Sequence, residues 1–136
     1  MVEINNFTDF PVGKDFFIGV AKKVLKGENK EREKLSVAFV SAEKIKKINQ
    51  KYRKENKPTD VLSFERKSDL KWDYNEIVIS PQVVLENTVS RRADFKSELA
   101  RVLIHGILHC LGYDHEISRK EAEKMFKKED YYISKI

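Results

Sequence analysis

The stretch that decides the fold runs from Phe95 to His115 and has the sequence FKSELARVLIHGILHCLGYDH. Up to Leu111 it is the longest apolar-rich segment of the chain, which predicts a largely buried central helix. Gly112 follows, and glycine readily adopts the left-handed conformation that ends helices. The sequence therefore predicts a helix over residues 95–111 and then a sharp turn.

Shorter elements precede and follow this helix. Alternating or β-branched composition predicts strands at residues 2–5, 35–40, 61–64 and 77–80. Helical spacing of apolar residues predicts further helices at 15–26, 41–52, 81–91 and 118–131. Ser41 is the expected N-cap of the second helix, and the last helix is expected to turn Ala122, Met125 and Phe126 inward. No repeat or composition break is present, so we expect one α+β domain over 1–136, a small mixed sheet packed with about five helices.

The composition indicates the cellular compartment of the protein more clearly than its function. The single cysteine, Cys110, excludes an internal disulfide, and its apolar neighbours predict a buried thiol. No stretch approaches the roughly 20 apolar residues of a membrane span, and the N-terminus lacks the apolar run of a signal peptide. We therefore expect a cytoplasmic protein, monomeric and away from membranes. The net charge of +5 fits a nucleic-acid partner, and equally an ordinary lysine-rich surface.

The three histidines of the chain, His105, His109 and His115, all lie in the stretch quoted above. Side chains four positions apart share one helix face about 5–6 Å from each other, so the first two can bind one ion. A turn at Gly112 would bring the third to them. Three protein ligands leave a fourth tetrahedral position for water, whose pKa then falls towards neutrality. The spacing predicts one catalytic Zn²⁺ per chain.

Residues beside these histidines refine the prediction. Metzincin peptidases share the spacing but need a glutamate directly after the first histidine as general base. Gly106 stands there, which argues against peptide hydrolysis and would leave room beside the metal for a bulky substrate. Glu98, seven positions before His105, is either an acceptor for a ligand imidazole or a surface ion-pair partner. Asp114 either orients a ligand or shapes the turn.

A second segment adds a resemblance to a known family. Tyr52-Arg53 is followed by Pro-Thr-Asp-Val-Leu-Ser-Phe at 58–64. Together with the histidine segment this resembles the YbeY family of bacterial rRNA-maturation factors, and the likeness continues through Ile77-Val-Ile-Ser, Glu98 and Met125-Phe-x-x-Glu. Asn75-Glu76 stands where that family commonly has glycine-aspartate, and Cys110 where it commonly has leucine.

The resemblance implies a zinc-dependent endoribonuclease acting on single-stranded RNA. It implies a role in 3′-end maturation of small-subunit (16S) rRNA and in ribosome quality control, with the small ribosomal subunit and its proteins as partners. His105, His109 and His115 would be the zinc ligands, with His105 and Arg53 as catalytic residues. Zinc-activated water would attack the phosphodiester while Arg53 stabilises charge on the phosphate.

Further cations and two other functions stay open from the sequence. Candidates for phosphate contacts are Lys51, Lys54, Lys57, Arg91, Arg92 and Arg101. The first alternative is an RNA-binding ribosome assembly factor that zinc merely staples. The second is a metzincin-like peptidase, which Gly106 disfavours.

Overall fold

The computed structural model describes residues 1–66, 73–91 and 94–136, without the side chains of residues 90 and 91. Of the predicted phosphate contacts, Arg92 and the side chain of Arg91 therefore lie outside the described residues. The strands are β1 (Val2–Asn6), β2 (Leu35–Phe39), β3 (Val61–Phe64) and β4 (Asn75–Ile79). The helices are α1 (Lys14–Gly27), α2 (Ala42–Arg53), α3 (Pro81–Arg91), α4 (Phe95–Cys110) and α5 (Arg119–Ile133). Every predicted element is present.

The strands form one mixed sheet in the order β1-β2-β4-β3. β2 pairs in parallel with β1 and β4, whereas β3 is antiparallel to β4 and lies at an edge. Val37 in β2 is in register with Ile4 and Ile77, so apolar side chains line up across the sheet. The predicted α+β class, with a small mixed sheet and five helices, is confirmed.

Helices cover both faces of the sheet, because successive side chains of a strand point to opposite faces. In β4, Ile77 and Ile79 join the larger core with α1 and α4, whereas Val78 joins a smaller one with Ile45 of α2. α4 is the most buried helix, as predicted. Burying one large apolar side chain contributes about 1.5–3 kcal/mol, so α4 is fixed firmly against the sheet.

Local signals placed most helix ends correctly. The Ser41 side chain accepts a hydrogen bond from the Lys44 amide at 3.1 Å, which confirms the predicted N-cap.

None of the described helices combines the length and the apolar character needed to cross a bilayer.

The inward face of α5 differs from the prediction at one position. Met125 is fully buried, but Phe126 is 49% exposed. The buried stripe continues through Glu129 and Tyr132 instead. Phe126 lies about 100° around the helix from Met125, and a carboxylate with specific partners occupies the core-facing position that an apolar pattern would assign to a hydrophobic residue.

Candidate metal and catalytic site

The turn after α4 has the predicted form. Gly112 has a φ of +107°. Its amide donates to the His109 carbonyl at 3.1 Å, and the Tyr113 amide donates to the Leu108 carbonyl at 3.1 Å. This pair of bonds defines a Schellman motif, which needs a left-handed residue at this position. The motif reverses the chain, and the ring centroids of His105 and His115 lie 5.0 Å apart as a result.

The His105 imidazole is held from behind by a carboxylate of α5. Its Nδ1 lies 2.8 Å from Oε2 of Glu129, a residue only 4% exposed. Oε1 of the same carboxylate lies 3.6 Å from the Arg101 guanidinium. An ionised carboxylate only accepts hydrogen bonds, so it places the proton on Nδ1 and leaves the lone pair of Nε2 free for a metal.

The other two histidines are also prepared to act as ligands. Nδ1 of His109 lies 3.1 Å from the Tyr113 carbonyl, which likewise only accepts, so Nε2 again keeps a free lone pair. Nδ1 of His115 is buried and has no hydrogen-bond partner in the described part of the chain. A buried nitrogen without a partner costs about 1–3 kcal/mol, which a bound ligand would relieve.

These donors fit a zinc ion by their chemistry. Across residues 1–66, 73–91 and 94–136, no three His, Cys, Asp or Glu side chains already stand in a ligating arrangement. Three imidazoles, two of them with Nδ1 hydrogen-bonded and Nε2 free, are nevertheless a donor set that zinc prefers. His105, His109 and His115 are the residues that would hold the ion.

The structure shows what surrounds the side chains of Glu98 and Asp114, for each of which the sequence left two roles open. The acceptor for His105 is Glu129, because Glu98 lies seven residues earlier, about 10 Å along α4. Glu98 instead lines a cavity of about 280 Å³ that also contains His105 and Arg101. The Asp114 carboxylate accepts from the Glu116 amide at 2.8 Å, so it shapes the turn.

Gly106 faces the sheet, which corrects the expectation that it leaves room beside the metal. A Cβ atom there would lie 3.0 Å from Cγ2 of Ile77 and 3.2 Å from Oγ of Ser63. The Ser63 hydroxyl also donates to the Gly106 carbonyl at 3.2 Å. The glycine therefore allows close packing of α4 on β3 and β4, one position from His105.

Arg53 is the last residue of α2 and is exposed. It makes no hydrogen bond or ion pair with the residues that the structure describes, so its guanidinium can receive a ligand. Buried Asn49 fixes the following loop by donating to the Lys57 carbonyl at 2.9 Å. This loop ends at Asp60, which lines the cavity beside His105. The contact between Arg53 and the histidines implied by the resemblance stays a prediction.

The structure also defines the surroundings of Arg101 and Cys110. Arg101, a candidate for phosphate binding, is held by Glu129 and, at 3.0 Å, by Asp130 of α5. Burial raises the pKa of the Cys110 thiol to about 12, in agreement with the predicted buried cysteine. No role as a histidine partner was predicted for Glu129, although it lies four positions after Met125 on the buried face of α5.

Comparison with known proteins identifies one family. Residues 4–136 match the family model described as Endoribonuclease YbeY. A protein of that name from Thermotoga neapolitana is 38% identical over 128 residues, which cover 87% of this chain and 84% of the relative. Another from Thermodesulfovibrio yellowstonii is 44% identical over 105 residues, which cover 75% of this chain and 66% of the relative. The solution structure of TM1509 from Thermotoga maritima covers 98% of this chain and 87% of that one, with a TM-score of 0.72 at 34% identity.

Proposed function

The chain belongs to the YbeY endoribonuclease family, and on that basis we propose that it is a zinc-dependent endoribonuclease specific for single-stranded RNA. We place it in the cytoplasm, in 3′-end maturation of small-subunit rRNA and in ribosome quality control, as one hydrolase domain acting on the small subunit. The observation that carries the proposal is the end of α4. There two imidazoles keep Nε2 free, and His115 offers a buried Nδ1 that has no hydrogen-bond partner among the residues described by the structure.

His105, His109 and His115 would hold the zinc ion. When bound, zinc supplies a Lewis acid for a phosphoryl oxygen and lowers the pKa of a water molecule towards neutrality. Glu129 keeps the proton of His105 on Nδ1 and so directs Nε2 to the metal. With glycine at 106, the site has no carboxylate where metzincins carry their base, which supports a hydrolase that relies on the metal rather than a peptidase.

Arg53 would bind the non-bridging oxygens of the scissile phosphate. A guanidinium donates two parallel hydrogen bonds to such oxygens and stabilises the negative charge that develops on them. Its exposure and its lack of partners among the described residues support this role. Lys51 lies in the last turn of α2, Lys54 and Lys57 follow the helix, and all three are exposed. They are candidates for contacts with phosphates further along the RNA strand.

The deciding experiment is cleavage of a labelled single-stranded rRNA fragment by zinc-loaded wild type, Arg53→Ala and Arg32→Ala. Arg32 is an exposed arginine on the α1–β2 loop and serves as the matched control. We expect cleavage by wild type and by Arg32→Ala, and none by Arg53→Ala at unchanged zinc content and melting temperature. Equal cleavage by all three would contradict the role of Arg53 and reveal a contaminating nuclease.

The assembly-factor alternative predicts a different pattern. None of the three proteins would cut the RNA, and Arg53→Ala would weaken RNA binding modestly. The logarithm of that binding constant would fall with the logarithm of the salt concentration, with a slope of about 0.7 for each phosphate contact on a single strand.

A further inference from the structure

One partly buried carboxylate links three separate segments near the histidines. Glu28 follows α1, and its side chain is 10% exposed. Its Oε1 accepts from the Tyr113 hydroxyl at 2.7 Å. Its Oε2 accepts from the Tyr132 hydroxyl and lies 3.3 Å from Nζ of Lys128. Glu28 therefore joins the end of α1 to the loop after α4 and to α5.

The protonation states suit this arrangement. Burial alone would raise the pKa of Glu28, but the hydrogen bonds from Tyr132, Tyr113 and Lys128 bring it below its ordinary value. Burial and the neighbouring carboxylate raise the pKa of Tyr132, and both tyrosine hydroxyls donate to Glu28. Near neutral pH the carboxylate is thus ionised and both hydroxyls are donors.

The two tyrosines differ in what they hold. Tyr113 lies between His109 and His115 in the chain, and its carbonyl accepts from Nδ1 of His109 at 3.1 Å. Tyr132 lies on α5 within the main core, and among the described residues its hydroxyl donates to Glu28 and not to a histidine. Among the described hydrogen-bond partners of Glu28, Tyr113 is the one that also bonds a histidine.

The backbone has been shaped to admit this network. Gly27 precedes Glu28, and a Cβ atom on it would collide with the Tyr132 ring and hydroxyl. A side chain at 27 would therefore displace Tyr132 from Glu28. Glycine at 27 therefore leaves the space in which Tyr132 reaches the Glu28 carboxylate.

We propose that Glu28 is a positioning residue for the metal centre. By holding the Tyr113 hydroxyl, it fixes the loop whose carbonyl sets the tautomer of His109 and whose end carries His115. It thereby increases zinc affinity without contacting the ion. This inference rests on the three histidines being the zinc ligands, as proposed above.

The test compares Tyr113→Phe with Tyr132→Phe, each of which removes one hydroxyl from the same carboxylate. Zinc affinity is measured by competition with a chromogenic chelator, and the melting temperature is measured on metal-free protein. We expect Tyr113→Phe to weaken zinc binding about 10- to 100-fold, the usual effect of losing a residue that supports a ligand. Tyr132→Phe should lower the melting temperature similarly yet leave zinc affinity within about twofold of wild type.

Two further variants separate the possible outcomes. Glu28→Gln should match Tyr113→Phe, and the double variant Glu28→Gln/Tyr113→Phe should be no weaker than either, because both break one connection. Equal loss of affinity in the two tyrosine variants, or none in Tyr113→Phe, would overturn the proposal. His109→Ala is the reference: if it binds zinc like wild type, the proposed metal centre itself is wrong.

A second measurement does not need zinc. Imidazole nitrogen NMR of metal-free protein should show His109 protonated at Nδ1 in wild type and in Tyr132→Phe. In Tyr113→Phe we expect a mixture of the two tautomers. If His109 keeps a single tautomer in Tyr113→Phe, the proposed connection through the loop is wrong, whatever the stability of that variant.

Discussion

Nδ1 of His105 and Oε2 of Glu129 lie 2.8 Å apart although 24 residues separate them in the chain. The bond crosses from α4 to α5, and Glu129 is almost completely buried. A carboxylate that accepts a hydrogen bond from a metal-binding imidazole fixes the orientation of the ring and strengthens its bond to the metal. Helix α5 therefore contributes to the candidate metal site as well as to the core.

Glu129→Gln should keep the fold but weaken zinc binding. The amide oxygen can still accept from Nδ1, but the negative charge that strengthens the imidazole is lost. We expect zinc affinity to fall about 10- to 100-fold, measured by chelator competition. Glu98→Gln is the matched control, because it changes a carboxylate in the same cavity that does not bind His105. Equal losses in both variants would assign the effect to the cavity's charge and not to the hydrogen bond.

The local features of the site were predictable because short stretches of chain determine them. Glycine at 112 sets the left-handed turn, and the spacing of His105 and His109 sets their shared helix face. The partner of His105 was not predictable, since it depends on how α5 packs on α4. The prediction that Phe126 faces inward was wrong for the same reason. Its apolar character does not reveal that Glu129 is buried instead, with a hydrogen-bond partner and an ion-pair partner on α4.

The resemblance and the structure contribute different parts of the site. Arg53 entered through the family motif, because one exposed arginine among many cations has no local signal of function. Glu28 has no such motif, and neither its burial nor its tyrosine partners follow from the sequence. Glycine at 106 shows from the sequence alone that the metzincin base is missing, whereas its packing role became clear only from its approach to Ile77.

His109→Ala should abolish tight zinc binding and remove the stabilisation that zinc provides. A ligand that binds only the folded state raises the free energy of unfolding by RT ln(1 + [L]/Kd), about 2.7 kcal/mol when the ligand is at 100 times its Kd. We expect zinc to raise the melting temperature of wild type and not of the variant, as followed by thermal unfolding with and without chelator. Unchanged metal content in His109→Ala would refute the ligand assignment.

Gly106→Ala should destabilise the protein, whereas Gly19→Ala should not. Alanine gains about 1 kcal/mol over glycine within a helix, and at Gly19 nothing lies within 4 Å of the new Cβ. At Gly106 the same atom meets Ile77, which is fully buried on a central strand and cannot yield. Overpacking costs about 1–3 kcal/mol, so we expect a net loss of about 1 kcal/mol in urea unfolding. A gain in stability at both positions would show that the α4–sheet contact is looser than described.

Cys110 should make stability fall at alkaline pH. An exposed thiol in the unfolded chain ionises near its ordinary pKa of 9.0, whereas burial holds the folded pKa at about 12. Above the unfolded pKa the unfolded state therefore loses a proton that the folded state keeps, and the free energy of unfolding decreases as pH rises towards the folded value. The decrease is at most about 1.4 kcal/mol per pH unit for one group.

Cys110→Ala isolates this contribution. The variant loses packing at every pH, so the informative quantity is the slope of unfolding free energy against pH, not its level. Between about pH 9 and 10, before the tyrosines of the unfolded chain ionise, urea unfolding should give a shallower slope for the variant than for wild type. Parallel slopes would mean that the thiol ionises equally easily in both states, and hence that Cys110 is not buried at the end of α4.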